Sequence, residues 1–228
     1  MKQIMSLSFA HYLVGFASAT VISLAMAAPA GDVDLLIDHR LTETTPDGVT
    51  RKLHFQERMY RRANMVWVER VLPAGAHDAA EHAKGGHEHK HLDLAAAARQ
   101  VTLAADKTIS VRLVNVHDKV VINVPPPEYG NIGFDGNWAN AWHLLDPKQL
   151  KTMQAVPGKA EHYRLKKGNL DLQVEWDGKG EFPRRVESRN SEGTRHKLMV
   201  VSAAPAPKVL PWANLQGYAQ KEYSDYLD

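Results

Sequence analysis

Cysteine is absent from the chain. That excludes disulfides, thiolate metal centres and cysteine nucleophiles, so the fold must be held by burial and backbone pairing. It also removes the residue that a lipid-anchored N-terminus would need. Long apolar runs are missing too. The most apolar stretch, roughly residues 12–24, has about 13 residues, short of the ~20 that a membrane-spanning helix requires. Charge of one sign is missing as well: 28 Lys and Arg face 26 Asp and Glu. Such a balance gives no reason to expect nucleic acid or an anionic membrane as partner. The local basic group Arg58, Arg61 and Arg62 reads as the solvated face and turn of a hairpin rather than a binding patch.

What the N-terminus does have is an export signal. Lys2 precedes the apolar stretch from Tyr12 to Leu24, and Ala25-Met26-Ala27 supplies the small-residue pattern of a cleavage site. Residues 1–27 are therefore expected to be removed before Ala28. The expected product is a soluble periplasmic protein of 201 residues without stable membrane insertion, long enough for one domain with its own core.

Most of the remaining chain alternates between apolar and polar residues, the period of half-buried antiparallel strands. Strands are expected from Leu35 to Thr44, Val49 to Met59 and Met65 to Leu72, with Pro46-Asp47-Gly48 as the first turn. In the third strand Val66, Val68 and Arg70 share one face and Trp67 the other. The four alanines within Leu94–Gln100 suggest a short helix. A hairpin spans Thr108 to Val124, ended by Pro125-Pro126-Pro127. One or two short helices follow over Trp138–Leu145 and Pro147–Gln154. Four further strands, starting near Glu161, Leu170, Phe182 and Thr194, form a meander. Beyond Pro205–Pro211, Trp212, Leu215, Ala219, Tyr223 and Tyr226 fall near one stripe of an amphipathic helix. The fold class is mainly β (α+β): eight or nine strands in a strongly curved antiparallel sheet or incomplete barrel, with a few short covering helices. The expected division is a signal peptide at 1–27, a single β domain at 28–204 with a histidine-rich loop at 74–91, and a helical tail at 205–228.

One part of the pattern resembles a known family. The Asp177-Gly178 turn, Phe182-Pro183-Arg184-Arg185-Val186-Glu187, then Glu192-Gly193 and a last strand are similar to the C-terminal meander of LolA-like periplasmic proteins. The Val116-His117-Asp118-Lys119 hairpin matches a turn that such proteins place mid-chain. The resemblance covers residues 33–204 and implies an incomplete barrel, capped by helices, around a cavity for acyl chains or another apolar ligand. The histidine loop and the tail after Pro211 depart from that family.

Five of the 12 histidines, His77, His82, His87, His89 and His91, crowd into one segment. Neutral imidazole is the commonest side-chain ligand of zinc, copper and nickel. An extended backbone would place His87, His89 and His91 on one side, and a helical turn would pair His87 with His91. Asp78, Glu81 and Glu88 could orient an imidazole or supply oxygen ligands. Three readings stay open: an incidental polar loop, a loose metal-sequestering tract, or a well-formed site. His39 and His54 lie on adjacent strands, which alone does not establish a site.

Catalytic signatures are missing: there is no G-x-S-x-G elbow, H-E-x-x-H helix or phosphate-cradling glycine loop. Asp171, Glu175 and Glu187 lie on strands, as carboxylates of a solvated face do. Trp67, Trp138, Trp142 and Trp176 are candidates to line a cavity. The expectation is a non-catalytic periplasmic binding or accessory protein that holds a divalent transition metal, zinc first and copper or nickel next, through the histidine segment. An envelope protein would be its partner. The alternative is a carrier or chaperone for a lipid or other apolar ligand in a LolA-like half-barrel.

Overall fold

The computed structural model describes residues 31–72 and 97–226. The signal segment and all five crowded histidines lie outside the described residues. The rest is dominated by strands: β1 (Val33–Thr44), β2 (Thr50–Arg62), β3 (Met65–Arg70), β4 (Ala98–Leu103), β5 (Ile109–Asn115) and β6 (Val120–Val124), then β7 (Gln154–Ala155), β8 (His162–Lys167), β9 (Leu170–Asp177), β10 (Phe182–Asn190), β11 (Arg195–Ala203) and β12 (Ala219–Glu222). They form one open, curved sheet in the order β12-β6-β5-β4-β3-β2-β1-β11-β10-β9-β8-β7. All neighbours run antiparallel except β12, which lies parallel to β6. The expected incomplete barrel is thus correct in class, with more strands than the alternation alone reveals.

The turn at Pro46-Asp47-Gly48 forms as expected. Gly48 takes a φ of +84° and donates its N–H to the Thr45 carbonyl, a backbone conformation that favours glycine. The strand period then decides the two faces of the sheet. Leu35 and Ile37 of β1, Met59 of β2, Val66 of β3, Val101 of β4, Val111 of β5, Ile122 of β6 and Val201 of β11 all point to one face and are buried. That inner face is covered between β6 and β7 by a 3-10 helix at Pro126–Ile132, α1 (Trp138–His143) and α2 (Pro147–Leu150). Asn137 caps α1 by accepting from the Ala139 N–H, and Asp146 caps α2 by accepting from the Lys148 N–H. Tyr129, Phe134 and Trp142 from this segment complete the main core.

Two expectations need correcting. Leu94–Gln100 is not a helix over its described part: Ala98 begins β4, because Val101 and Leu103 continue an alternation that pairs with both β3 and β5. Tertiary pairing here overrides alanine's helix preference. The tail is not an amphipathic helix either. Pro211–Asn214 and Tyr223–Tyr226 are single 3-10 turns on either side of β12. Trp212 packs on the outer face against Tyr60 and Trp67, with ring centroids 6.1 and 5.8 Å away. The tail then pairs along β6 and delivers Tyr223 to the main core. An apolar stripe on the tail is real, but it wraps a sheet edge that would otherwise stay open.

The basic group near the second turn also departs from expectation. Arg61 is 1% exposed, not solvated. Its Nη1 donates to the carbonyls of Trp142 and Glu181, each at 3.2 Å, and its Nη2 to that of Gly180 at 2.6 Å. The guanidinium also faces the Trp142 ring at 5.4 Å. Burial pushes its pKa down to about 10, partly offset by the Glu181 charge, so it remains a cation at neutral pH. One side chain of β2 thereby ties α1 and the β9–β10 turn to the sheet. Arg61→Leu should leave the Trp142 and Gly180 carbonyls without this donor, while Glu181 keeps its contact with His143 Nδ1 at 2.9 Å, and lower stability by roughly 3 kcal/mol. Urea unfolding followed by tryptophan fluorescence checks this, and a loss under about 1 kcal/mol would mean the carbonyls find other partners.

Candidate functional site

The helical cover does not reach the whole inner face. Toward the far ends of β1 and β2, and across β11, β10 and β9, the face stays open as a groove of about 320 Å³. Register explains its walls. Leu41 lies across from Leu53, His39 from Phe55 and from Met199, Met199 from Val186, and Ser188 from Leu172. Leu41, Leu53, Phe55, Leu172, Val186 and Met199 therefore share one face and line the groove. Leu53 is 51% exposed. A contiguous apolar surface left open in this way is a stronger signal of binding than scattered apolar residues.

At its inner end the groove meets charge. Glu57 lies opposite both Ile37 and Arg70 and accepts a hydrogen bond from the His39 Nε2–H at 2.9 Å. Burial alone would raise the Glu57 pKa. The His39 hydrogen bond and charge, with the nearby Arg99 and Arg70 cations, outweigh it and hold the carboxyl below its usual 4.5. The His39 ring stacks on Phe55, with centroids 4.6 Å apart. The Arg70 guanidinium lies over the same Phe55 ring at 3.7 Å. Arg99 donates to the Ile132 carbonyl at 3.3 Å, while its buried Nε has no partner among the described residues. Glu57, Arg70 and Arg99 line a second hollow of about 180 Å³ with Ala97, Leu113 and Ile132.

The residues singled out from sequence are distributed differently. His77, His82, His87, His89 and His91 lie outside the described residues. Among the described residues no group of three or more His, Asp or Glu side chains is placed to hold a metal ion. Trp67 points to the outer face, beneath Trp212, so it does not line a cavity on the inner side. Trp138 and Trp142 stack on each other at 5.3 Å in the cover, and Trp176 packs with Leu150 and Val174. None of the four lines the groove. His39 and His54 occupy opposite faces, since His54 binds Asp38 at 2.7 Å on the outer side. Asp171 is paired with Arg164, and Glu187 with Arg185, Arg189 and His196. Arg185 leads the interactions that hold the Glu187 pKa down to about 2. Both carboxylates are charge-paired, Asp171 half-exposed and Glu187 buried.

The groove and its charged end were missed from sequence. The available signal was a charge on the apolar side of a strand: Glu57 between Phe55 and Met59, Arg70 after Val66 and Val68, and Arg99 before Val101.

No family model and no curated protein matches this chain. Solved structures similar to it include an uncharacterized conserved protein from Thermus thermophilus, with 9% identity over 83% of this chain and 90% of that one at a TM-score of 0.36. They also include a LolA superfamily protein from Nitrosomonas europaea, with 11% identity, 79% and 89% coverage and a TM-score of 0.36. A third is a putative outer membrane lipoprotein-sorting protein domain from Vibrio parahaemolyticus, with 8% identity, 77% and 87% coverage and a TM-score of 0.33. No helix among the described residues is long and apolar enough to cross a membrane.

The Glu57 environment gives a pH signature. A carboxyl held below 4.5 in the folded state contributes stability that is present above about pH 4.5 and is lost as pH falls through the lower folded value. Glu57→Gln should remove that increment. Urea midpoints at pH 7 and pH 3 should differ by less in the variant than in the wild type. Equal differences in both would show that Glu57 does not titrate as its surroundings require.

Proposed function

We propose that the protein is a non-catalytic carrier of an apolar ligand, held in the open groove on the inner face of the sheet. One observation supports the reading above the others. The cover fills the inner face over β1–β6 with Tyr129, Phe134 and Trp142, yet leaves six apolar side chains only partly covered over β9–β11 and the ends of β1 and β2. The groove's volume, about 320 Å³, falls at the small end of the ~300–1,000 Å³ typical of ligand pockets. That suits a single chain better than a bulky multi-chain anchor. The export signal expected at 1–27 supports a periplasmic carrier, since an apolar cargo needs shielding from water to cross between membranes.

The reading rests on the groove itself, and the test fills it. Protein purified without detergent and extracted with organic solvent should yield a co-purifying apolar compound by mass spectrometry. Val186→Trp should remove that compound and at least tenfold of the affinity for a fluorescent apolar probe, while the thermal midpoint stays within a few degrees. A variant that binds as the wild type does would move the ligand elsewhere.

A second activity, metal capture, is supported by the local density of His77, His82, His87, His89 and His91. The segment that carries them leaves the sheet after β3 and rejoins it at β4, whose neighbour Ala97 lines the charged hollow. Exchangeable imidazoles would take up zinc, or copper or nickel, and pass it to an envelope partner. Calorimetric titration of residues 28–228 with each metal should show saturable binding, lost when the five histidines become alanine. Identical isotherms for the two proteins would eliminate the metal reading and leave the carrier reading intact.

A further inference from the structure

We infer that the groove takes an amphiphile with an anionic head group, its chain along the apolar wall and its carboxylate or phosphate on Arg70 and Arg99. This rests on the carrier reading and specifies its ligand. The two guanidiniums carry the argument. Both lie on the inner face and line one hollow with Glu57. Neither has an ion pair within 4.0 Å among the described residues. Arg70 lies directly across the ladder from Glu57, yet its guanidinium rests on Phe55, the ring that walls the groove. Arg99 keeps a buried Nε with no acceptor among the described residues.

The neighbouring acids are already engaged. Glu57 is taken by His39, and Asp135 accepts from the Asn137 N–H at 2.9 Å and the Asn140 side chain at 2.6 Å. The formal charges of Arg70, Arg99, Glu57 and Asp135 cancel, so no net field expels an anion. What the described residues leave is a pair of partly desolvated cations with unused donors. A desolvated charge without a hydrogen-bonded counter-ion is costly, and a bidentate oxyanion is the group that fits guanidinium geometry. Phe55 joins the two halves of the site, with one ring touching the cation and facing the apolar groove. A molecule lying along Leu41, Leu53, Leu172, Val186 and Met199 would reach Arg70 across that ring.

The test compares ligands that share a chain and differ in head. Palmitate, hexadecyl phosphate and hexadecanol would each displace a fluorescent apolar probe from the wild-type protein, from Arg70→Gln and from Arg70→Lys. At least one acid should bind roughly tenfold or more tightly than hexadecanol to the wild type. Which acid leads identifies the head group. Arg70→Gln should bring both acids down to the level that hexadecanol shows in the same variant, and Arg70→Lys should retain part of the preference. Circular dichroism melts confirm that each variant is folded. Equal binding of acid and alcohol to the wild type, or a preference that survives in Arg70→Gln, overturns the head-group assignment and leaves the carrier reading standing. Failure of all three to displace the probe overturns both. Acetate or inorganic phosphate raising the melting temperature as much as the amphiphiles would show a free-anion site instead.

Discussion

The arrangement of the inner face depends on one buried cation. Arg61 brings a guanidinium to a place where water is excluded and meets its two terminal nitrogens with three main-chain carbonyls rather than an acid. A carbonyl carries only a partial charge, so the group stays less well compensated than in an ion pair, and its pKa falls accordingly. What the arrangement secures is geometry. The carbonyls belong to the end of α1 and to the β9–β10 turn, which are far apart in sequence and which His143 also joins through the Glu181 carbonyl. Three non-glycine residues close to the contact, Ala63, Leu144 and Glu181, have φ values of 48°, 65° and 54°. Left-handed backbone at such residues is strained by about 1–3 kcal/mol each and persists only where surrounding structure holds it. The β9–β10 turn is tight as well. A Cβ on Gly180 would collide with the Phe182 ring, so only glycine permits the approach that presents its carbonyl to Arg61.

Because the cover is pinned at that point, it occupies one part of the curved sheet and leaves the other part uncovered. Tyr129, Phe134, Trp138 and Trp142 fill the space over β1 to β6, where the sheet contributes Val, Ile and Leu. Over β9 to β11, short of the buried Trp176 and Val201, the inner residues are Leu172, Val174, Val186, Ser188, Lys197 and Met199. Of these only Val174 is fully buried, beneath Leu150 of α2. The groove therefore begins where the last helical side chain ends. It is a consequence of where the cover stops, not of unusual residues in its wall. The tail makes the opposite choice at the other edge: Trp212 closes the outer face and Tyr223 the inner core, so β6 offers no free edge.

Legibility in the sequence followed local periodicity. Alternation in β9, with Leu170, Leu172, Val174 and Trp176 on one side, was readable because strand side chains repeat every two residues regardless of the fold. The Pro46-Asp47-Gly48 turn was readable because proline and glycine restrict the backbone locally. The tail was misread because Trp212, Leu215 and Tyr223 serve two opposite faces of a sheet, and spacing along one segment cannot show that. Ala98 was misread because its two ladder partners, on β3 and β5, are set by the sheet rather than by alanine. Grouping Arg61 with Arg58 and Arg62 hides its burial. By parity it shares the face of Phe55 and Met59, and that parity carried the answer. Glu57, Arg70 and Arg99 come together only through register, so their meeting could not be found without knowing which strands pair.

A polar group on the inner face can serve the fold or a ligand, and the two roles leave different marks. Arg61 shows the first: its two terminal nitrogens are met by three carbonyls, although its Nε, like that of Arg99, has no partner among the described residues. His39 and Glu57 satisfy each other and read the same way. Arg70 and Arg99 differ. Their cationic ends are drawn out of water, yet the described residues offer Arg70 only an aromatic face and Arg99 a single carbonyl. Packing does not require this, because an uncharged side chain at either position would avoid the desolvation penalty. Arg70 stands where the apolar groove ends at Phe55, and Arg99 shares its hollow. The apolar wall and the Arg70 guanidinium adjoin at Phe55, with Arg99 beyond in the same hollow as Arg70. On the proposed reading a single amphipathic molecule would complete both, which neither a simple hydrocarbon nor a free anion would do.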